Sequence, residues 1–268
     1  MASGGCTLCY RKARSSKRDR DTSGNRWELG AAAFSGLTFG AMTATFSGWP
    51  AAYQEFFIGL EMDNSKSYFD AHRKQYLEKV KGPMEALIAA LEPEFGPGKI
   101  ARPNRDIRFS ADKSPYKTNI YANVGTGARG GHVALGSKGL MSAAGRYELD
   151  PSLIPKFRDA VAADGSGRQL AKIVEKLEKD GYEVGGEELK RVPSGYPPDH
   201  PRARLLRHKR VFMWKNLGLH KWLGSGAAAE HVAKVWRDAQ PLNDWFAKHV
   251  GSAEPGLGSD RGRGRGSR

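Results

Sequence analysis

A chain of 268 residues with 39% apolar and 10% aromatic residues can bury a real core as one large or two small domains, which excludes a wholly disordered polymer. Its formal charge of +14 invites an anionic partner, but Met1 to Ala41 holds +4 of that and Ser259 to Arg268 another +3, leaving +7 on the body, an ordinary basic surface. Both cysteines, Cys6 and Cys9, lie in the leading segment, so the body has no disulfide.

Residues 1–41 show neither helical nor strand periodicity. A lone Cys-x-x-Cys is half a zinc site, and no second pair completes it. The basic run from Arg11 to Arg26, followed by the uncharged stretch Leu29 to Gln54, has the layout of an export signal. Gly, Ala, Thr and Ser dominate that stretch, however, and it lacks the Leu/Ile/Val density of a signal core or membrane span. A start at Met42 leads directly into the first helix. The expectation is therefore a disordered extension or a misassigned start, with export as the alternative.

From Pro50 to Met62 the spacing of Tyr53, Phe56, Phe57 and Leu60 predicts a helix. Asn64 is the expected cap of a longer one carrying Tyr68, Phe69, Tyr76, Leu77 and Val80, interrupted or kinked at Gly82-Pro83 before Met84, Leu87, Ile88 and Leu91 resume the stripe. Strands are expected at Ile107–Phe109, Thr118–Val124, His132–Leu135 and Leu140–Tyr147, with a hairpin turn at Ser137-Lys138-Gly139. Gly125-x-Gly127-x-x-Gly130 has dinucleotide-binding spacing, but strand-like residues follow it where a helix would have to receive the phosphate. It reads as a mobile glycine loop.

In the second half, Asp150-Pro151 caps a helix to Ala163. Gly165-Ser166-Gly167 links it to a helix over Arg168–Lys179. A strand at Tyr182–Val184, a helix at Ala203–His208, a strand at Val211–Trp214 and two helices between Ala227 and His249 complete the body. Val232, Val235, Trp236, Leu242, Trp245 and Phe246 face inward. The Arg-Gly tail, 256–268, reads as disordered and cationic, able to bind RNA or simply to be solvated. Residues 42–255 are expected to form a single α+β domain, helices flanking a mostly antiparallel central sheet.

Several catalytic templates are missing from the body: there is no Gly-x-Ser-x-Gly elbow, no cysteine nucleophile, no His-Glu-x-x-His and no EF-hand spacing. His200 and His208 are the nearest histidine pair, and no metal or cofactor is expected. What stands out is polar density in two tracts. Arg105-Asp106-Ile107-Arg108-Phe109-Ser110-Ala111-Asp112-Lys113-Ser114-Pro115-Tyr116-Lys117 supplies guanidinium forks, ammonium groups and a phenol. Lys190-Arg191-Val192-Pro193-Ser194-Gly195-Tyr196-Pro197-Pro198-Asp199-His200-Pro201 adds further cations, a second phenol and an imidazole with an acidic neighbour.

These two motifs, with Phe46-x-Gly48-Trp49 and Asn64-x-x-x-Tyr68-Phe69-Asp70-x-His72, resemble domain-of-unknown-function family two-four-six-one, conserved hypothetical proteins of bacteria with relatives in fungi and plants. The likeness covers about Phe46 to Phe246. It implies one intact domain, treats residues 1–41 and the tail as extras, and moves the tracts from mere surface toward a shared site. It carries no activity with it.

The leading expectation is a soluble cytoplasmic domain binding a small anionic or phosphorylated ligand where the tracts join. Arg105 and Arg108 would grip the anion, Lys113 and Lys117 screen it, and Lys190, Arg191 and Tyr196 complete the shell. Tyr116 and His200 would orient the ligand or exchange protons, with Asp199 or Asp106 orienting the imidazole. The alternative is a nucleic-acid-associated protein using its basic surface and tail. A third reading makes both tracts structural ion-pair networks. No membrane partner is expected.

Overall fold

Apolar side chains at three- and four-residue spacing pull the first helix, α1 (Ala52–Met62), onto the core through Tyr53, Phe56, Phe57 and Leu60. The computed structural model describes residues 45–125, 130–147 and 149–251, all within one compact unit that begins at Met42. The leading segment with Cys6 and Cys9, the Arg-Gly tail and the centre of the glycine loop (126–129) lie outside the described residues.

The expected cap at Asn64 falls instead to Ser65, whose hydroxyl accepts from the Tyr68 N–H at the head of α2 (Lys66–Ala71). The long helix expected next breaks at His72 into α3 (Arg73–Gln75), a π-helical stretch (Tyr76–Lys81) and α4 (Gly82–Phe95). The wider π turn shifts the stripe: Tyr76 and Val80 stay buried, whereas Leu77, expected inside, is 48% exposed. Gly82 and Pro83 open α4, where a proline lacks no hydrogen bond that a helix would use.

Strands β1 (Gly98–Ile100), β2 (Asn119–Val124), β3 (Gly131–Gly136) and β4 (Gly139–Arg146) follow as an antiparallel meander. Three-residue β1 was not legible, and Ile107–Phe109 is no strand but part of a loop. A short 3-10 turn (Pro151–Leu153), capped by Asp150, leads into α5 (Ile154–Ala162) and α6 (Asp164–Lys179). Gly165-Ser166-Gly167 is thus the first turn of α6, not a linker. A Cβ at Gly167 would lie 2.0 Å from the Val161 carbonyl oxygen, so the glycine lets α6 start against the end of α5.

The rest comprises β5 (Glu183–Gly185), α7 (Ala203–Arg207), β6 (Val211–Gly218), α8 (Ala227–Asp238) and α9 (Gln240–His249). One six-stranded sheet results, in the order β1-β2-β3-β4-β6-β5, with every neighbouring pair antiparallel. The fold is α+β, as expected. No helix among the described residues is long and apolar enough to cross a membrane.

Alternation divides the sheet into two faces. Ile120, Ala122 and Val124 of β2, Val133 and Leu135 of β3, Leu140 and Ala144 of β4, and Val211 and Met213 of β6 are buried. The helices cover this face; Gly131 there abuts the Trp236 indole of α8. The other face carries Tyr121, His132, Phe212 and Trp214, all half-buried, and Asn119, Asn123 and Asn216, all exposed.

His132 Nδ1 lies 2.8 Å from Asn123 Oδ1, which can only accept, so that nitrogen carries the proton. Burial pulls the imidazole down to about 4. The folded state therefore holds this ring neutral, while the unfolded chain protonates it below about pH 6.5. Stability is complete above that pH and falls as the pH drops toward 4. The slope should stay under the roughly 1.4 kcal/mol per pH unit of a fully buried imidazole. Melting temperature against pH should fall less steeply in His132→Gln over that window; identical acid limbs would remove His132 from the account.

Candidate functional site

The first tract is a closed loop growing out of the β1–β2 hairpin. Tyr116 bridges Asn104, Lys117 N–H donates to the Pro103 carbonyl at 2.8 Å, and Arg105 N–H donates to the Pro115 carbonyl at 2.8 Å. Inside the loop, Asp112 accepts from the Ser114 N–H (2.9 Å) and hydroxyl (2.6 Å), and also from Arg105. The Ser114 hydroxyl, then the Arg105 guanidinium, hold the Asp112 carboxyl well below the usual carboxylate range. Arg108 grips Asp106 with two bonds of 2.9 and 2.6 Å, which pulls that carboxyl down to about 2. Lys113 donates to the Ile107 carbonyl at 3.0 Å, and Lys117 to the carbonyls of Arg102 and Asn104. Burial, and secondarily the Arg102 charge, pushes the Lys117 ammonium down.

Two contacts fasten this loop to the body. The Asn64 amide pairs with both backbone groups of Tyr116, donating to its carbonyl at 3.1 Å and accepting its N–H at 3.0 Å. The Tyr116 ring stacks on Phe69, centroids 4.1 Å apart and planes 6° from parallel. The loop's far side is open, and Phe109 at its tip is 96% exposed.

Where the loop meets α1 and β2 lies a cleft of about 440 Å³, lined by Glu61, Asn64, Arg105, Asp112, Ser114, Tyr116, Lys117, Thr118 and Asn119. Of the residues singled out in the sequence, Arg105, Tyr116 and Lys117 meet here. Asp106, Arg108 and Lys113 belong to the same loop but not to the cleft's lining. Glu61, Ser114, Thr118 and Asn119 were missed: Glu61 comes from the end of α1, and nothing in its local pattern ties it to the loop.

The second tract lies elsewhere, and this corrects the expected joined site. Because all neighbouring strands are antiparallel, β2 and β5 run in the same direction. The first tract enters the start of β2 from the edge strand β1, whereas the second leaves the end of the opposite edge strand β5. The tracts therefore sit at opposite ends of the sheet, and five inter-strand steps, about 24 Å, separate the two edges. Tyr196 donates to Asp159 of α5 at 2.7 Å, and burial together with that carboxylate pushes the phenol up to about 12. His200 Nδ1 accepts the Arg202 N–H at 3.0 Å. Lys190, Arg191 and Asp199 are exposed, without a partner among the described residues.

The group that matters most here is Arg202, one residue beyond the tract and passed over in the sequence. It is buried, and its guanidinium donates to the carbonyls of Val161 and Ala162, both at 2.7 Å, and to Asp164 at 3.2 Å. These carbonyls end α5, where unpaired acceptors and the helix dipole favour a cation. Arg202 thus clamps the α5–α6 corner just after the second tract. His208 is a separate matter: it is buried, its Nδ1 has no partner among the described residues, and burial lowers its pKa despite Glu188 at 3.5 Å. No group of three or more potential metal ligands occurs among the described residues.

A single antiparallel sheet with helices on one face and a polar loop cleft at one corner defines an α+β domain. Residues 52–245 match the family model described as Conserved hypothetical protein (DUF2461), and the chain belongs to that family. No curated protein and no solved structure matches it.

Proposed function

We propose that this domain binds a small anion bearing hydroxyl or amino groups, such as a phosphorylated or carboxylated polyol, in the cleft beneath the first tract. The observation that carries this reading is the convergence of Arg105 and Lys117 with two carboxylates, Glu61 and Asp112, in one cleft of about 440 Å³, a volume within the range of small-molecule sites. Balanced charge favours a ligand with both an anionic group and donors over a bare anion. Arg105 spends one of its five donors on Asp112, and exposed ion pairs of that kind stabilise little, so a phosphate or carboxylate can share the fork. Lys117 spends two of its three N–H groups on backbone carbonyls and keeps one. Glu61 accepts from hydroxyls, Ser114, whose hydroxyl proton is spent on Asp112, accepts as well, and Thr118 and Asn119 either donate or accept. The site is thus confined to one tract, without His200, Asp199, Lys190, Arg191 or Tyr196.

The test is thermal unfolding of the full chain with a panel of sugar phosphates, hydroxy acids, inorganic phosphate and neutral sugars. A fitting ligand at about a hundredfold its Kd should raise the melting temperature by about 5–10 °C, inorganic phosphate less, and neutral sugars not at all. Arg105→Ala should abolish the rise with little change in the unliganded melting temperature. A panel without effect at millimolar concentration, or a rise unaltered in Arg105→Ala, would remove the cleft as a binding site.

A further inference from the structure

The sheet face that faces away from the helices is unusual in what it shows to solvent. A strand face open to water ordinarily alternates to polar side chains; here Asn119, Asn123 and Asn216 stand around the middle, with Lys99 and Glu183 on the two edge strands opposite Asn123 and Trp214. The middle is aromatic. Tyr147, Phe212 and Trp214 form one run, with ring centres 5.3 and 5.1 Å apart. Tyr121 and His132 form a second group 5.2 Å apart. In the row across the sheet, His132 of β3 faces Ala143 of β4, which faces Trp214 of β6. Two inter-strand steps, about 10 Å, therefore separate the aromatic groups, and the small residues Ala143 and Gly145 floor the trough between them.

Cations stand over the outer rings. Lys117 Nζ is 5.4 Å from the centre of the Tyr121 ring, and the Arg210 guanidinium carbon is 5.4 Å from that of Tyr147. A partner that answers both features presents flat, uncharged faces at intervals and negative charge between them. An uncharged peptide strand could cover the rings but would not answer the cations or the +7 carried by the body of the chain. Duplexed bases are already stacked on one another and do not offer their faces.

We infer that this face binds single-stranded nucleic acid, with bases stacked on Trp214 and Tyr121 and phosphates drawn toward Lys117 and Arg210. Base–aromatic stacking tolerates any sequence, since every base has a π-face, so the preference should be for unpaired strands and not for a particular sequence. This surface is distinct from the cleft and independent of the proposal made for it: Lys117 and Asn119 touch both, and Arg105 belongs to the cleft alone.

The experiment is fluorescence anisotropy of the full chain with labelled oligothymidylate and oligouridylate of about fifteen nucleotides, at about 50 and 200 mM salt. Tyr121→Leu and Trp214→Leu should each weaken binding about tenfold while leaving its salt dependence unchanged, because no phosphate contact is lost. Arg105→Ala should leave the affinity as it is, and duplex of the same length should compete poorly. Ultraviolet crosslinking of the unaltered protein, read by peptide mass spectrometry, should label peptides holding Tyr121 or Trp214, and it decides the matter if Trp214→Leu fails to fold. Absence of binding at the lower salt, unchanged affinity in both variants, equal binding of duplex, or crosslinks confined to the Arg-Gly tail would each overturn the inference.

Discussion

Gly48→Ala is expected to cost about 4 kcal/mol or more and to lower the melting temperature by about 10 °C or more. Gly48 has φ of +95°, a conformation that L side chains rarely adopt. An added Cβ would lie 2.1 Å from the Ser225 nitrogen, 2.3 Å from the Gly224 carbonyl carbon and 2.6 Å from the Leu223 oxygen. All three are backbone atoms, so no side-chain rotation relieves the clash. Retreat is blocked as well, because the Trp49 N–H donates to the Leu223 carbonyl at 2.8 Å and the indole is only 2% exposed. Calorimetric melting of the variant checks this, and a melting temperature within about 2 °C of the parent would show that the chain entry is more pliant than its contacts imply.

Arg202→Met should cost about 3 kcal/mol, since buried carbonyls that lose a charged donor forfeit its bonds and remain without water. The methionine keeps most of the buried stem, so the loss reports the guanidinium and not a cavity. Arg202→Lys should recover only part of it: an ammonium is a point charge and cannot bond the Val161 and Ala162 carbonyls with the geometry of the guanidinium. Denaturant titration gives both values, and a Lys variant as stable as the parent would mean that charge alone holds the corner. Neither variant should change ligand binding in the cleft, which lies at the other edge of the sheet.

How far the sequence reveals this protein depends on the range over which each feature is written. The stripes of α1, α8 and α9 are local and repeat every turn, so they could be read directly. Ile107–Phe109 misled because its apolar residues sit on a loop tip, where Phe109 is solvent-exposed. Gly165-Ser166-Gly167 looked like a linker because glycine's usual use is a turn; here the reason is tertiary, the approach of the Val161 carbonyl and the Arg202 guanidinium. The candidate site divides in the same way. Arg105, Tyr116 and Lys117 stood out through polar density within one short run. That the second tract is not their neighbour follows only from the strand order, which no local pattern encodes. The aromatic face was invisible for a similar reason: Tyr121, His132, Phe212 and Trp214 come from three strands, and each alone reads as an ordinary strand residue.

The two outermost strands, β1 and β5, are each three residues long. A sheet of six strands exposes two rows of unpaired backbone donors and acceptors, and long rows of that kind template the addition of strands from other molecules. Here each row ends after three residues, one running toward Pro103 and the other toward Gly186, beyond which the chain turns away. A foreign strand would gain too few hydrogen bonds to hold. The protein can therefore leave one broad face of its sheet open to solvent while its borders resist edge-to-edge aggregation.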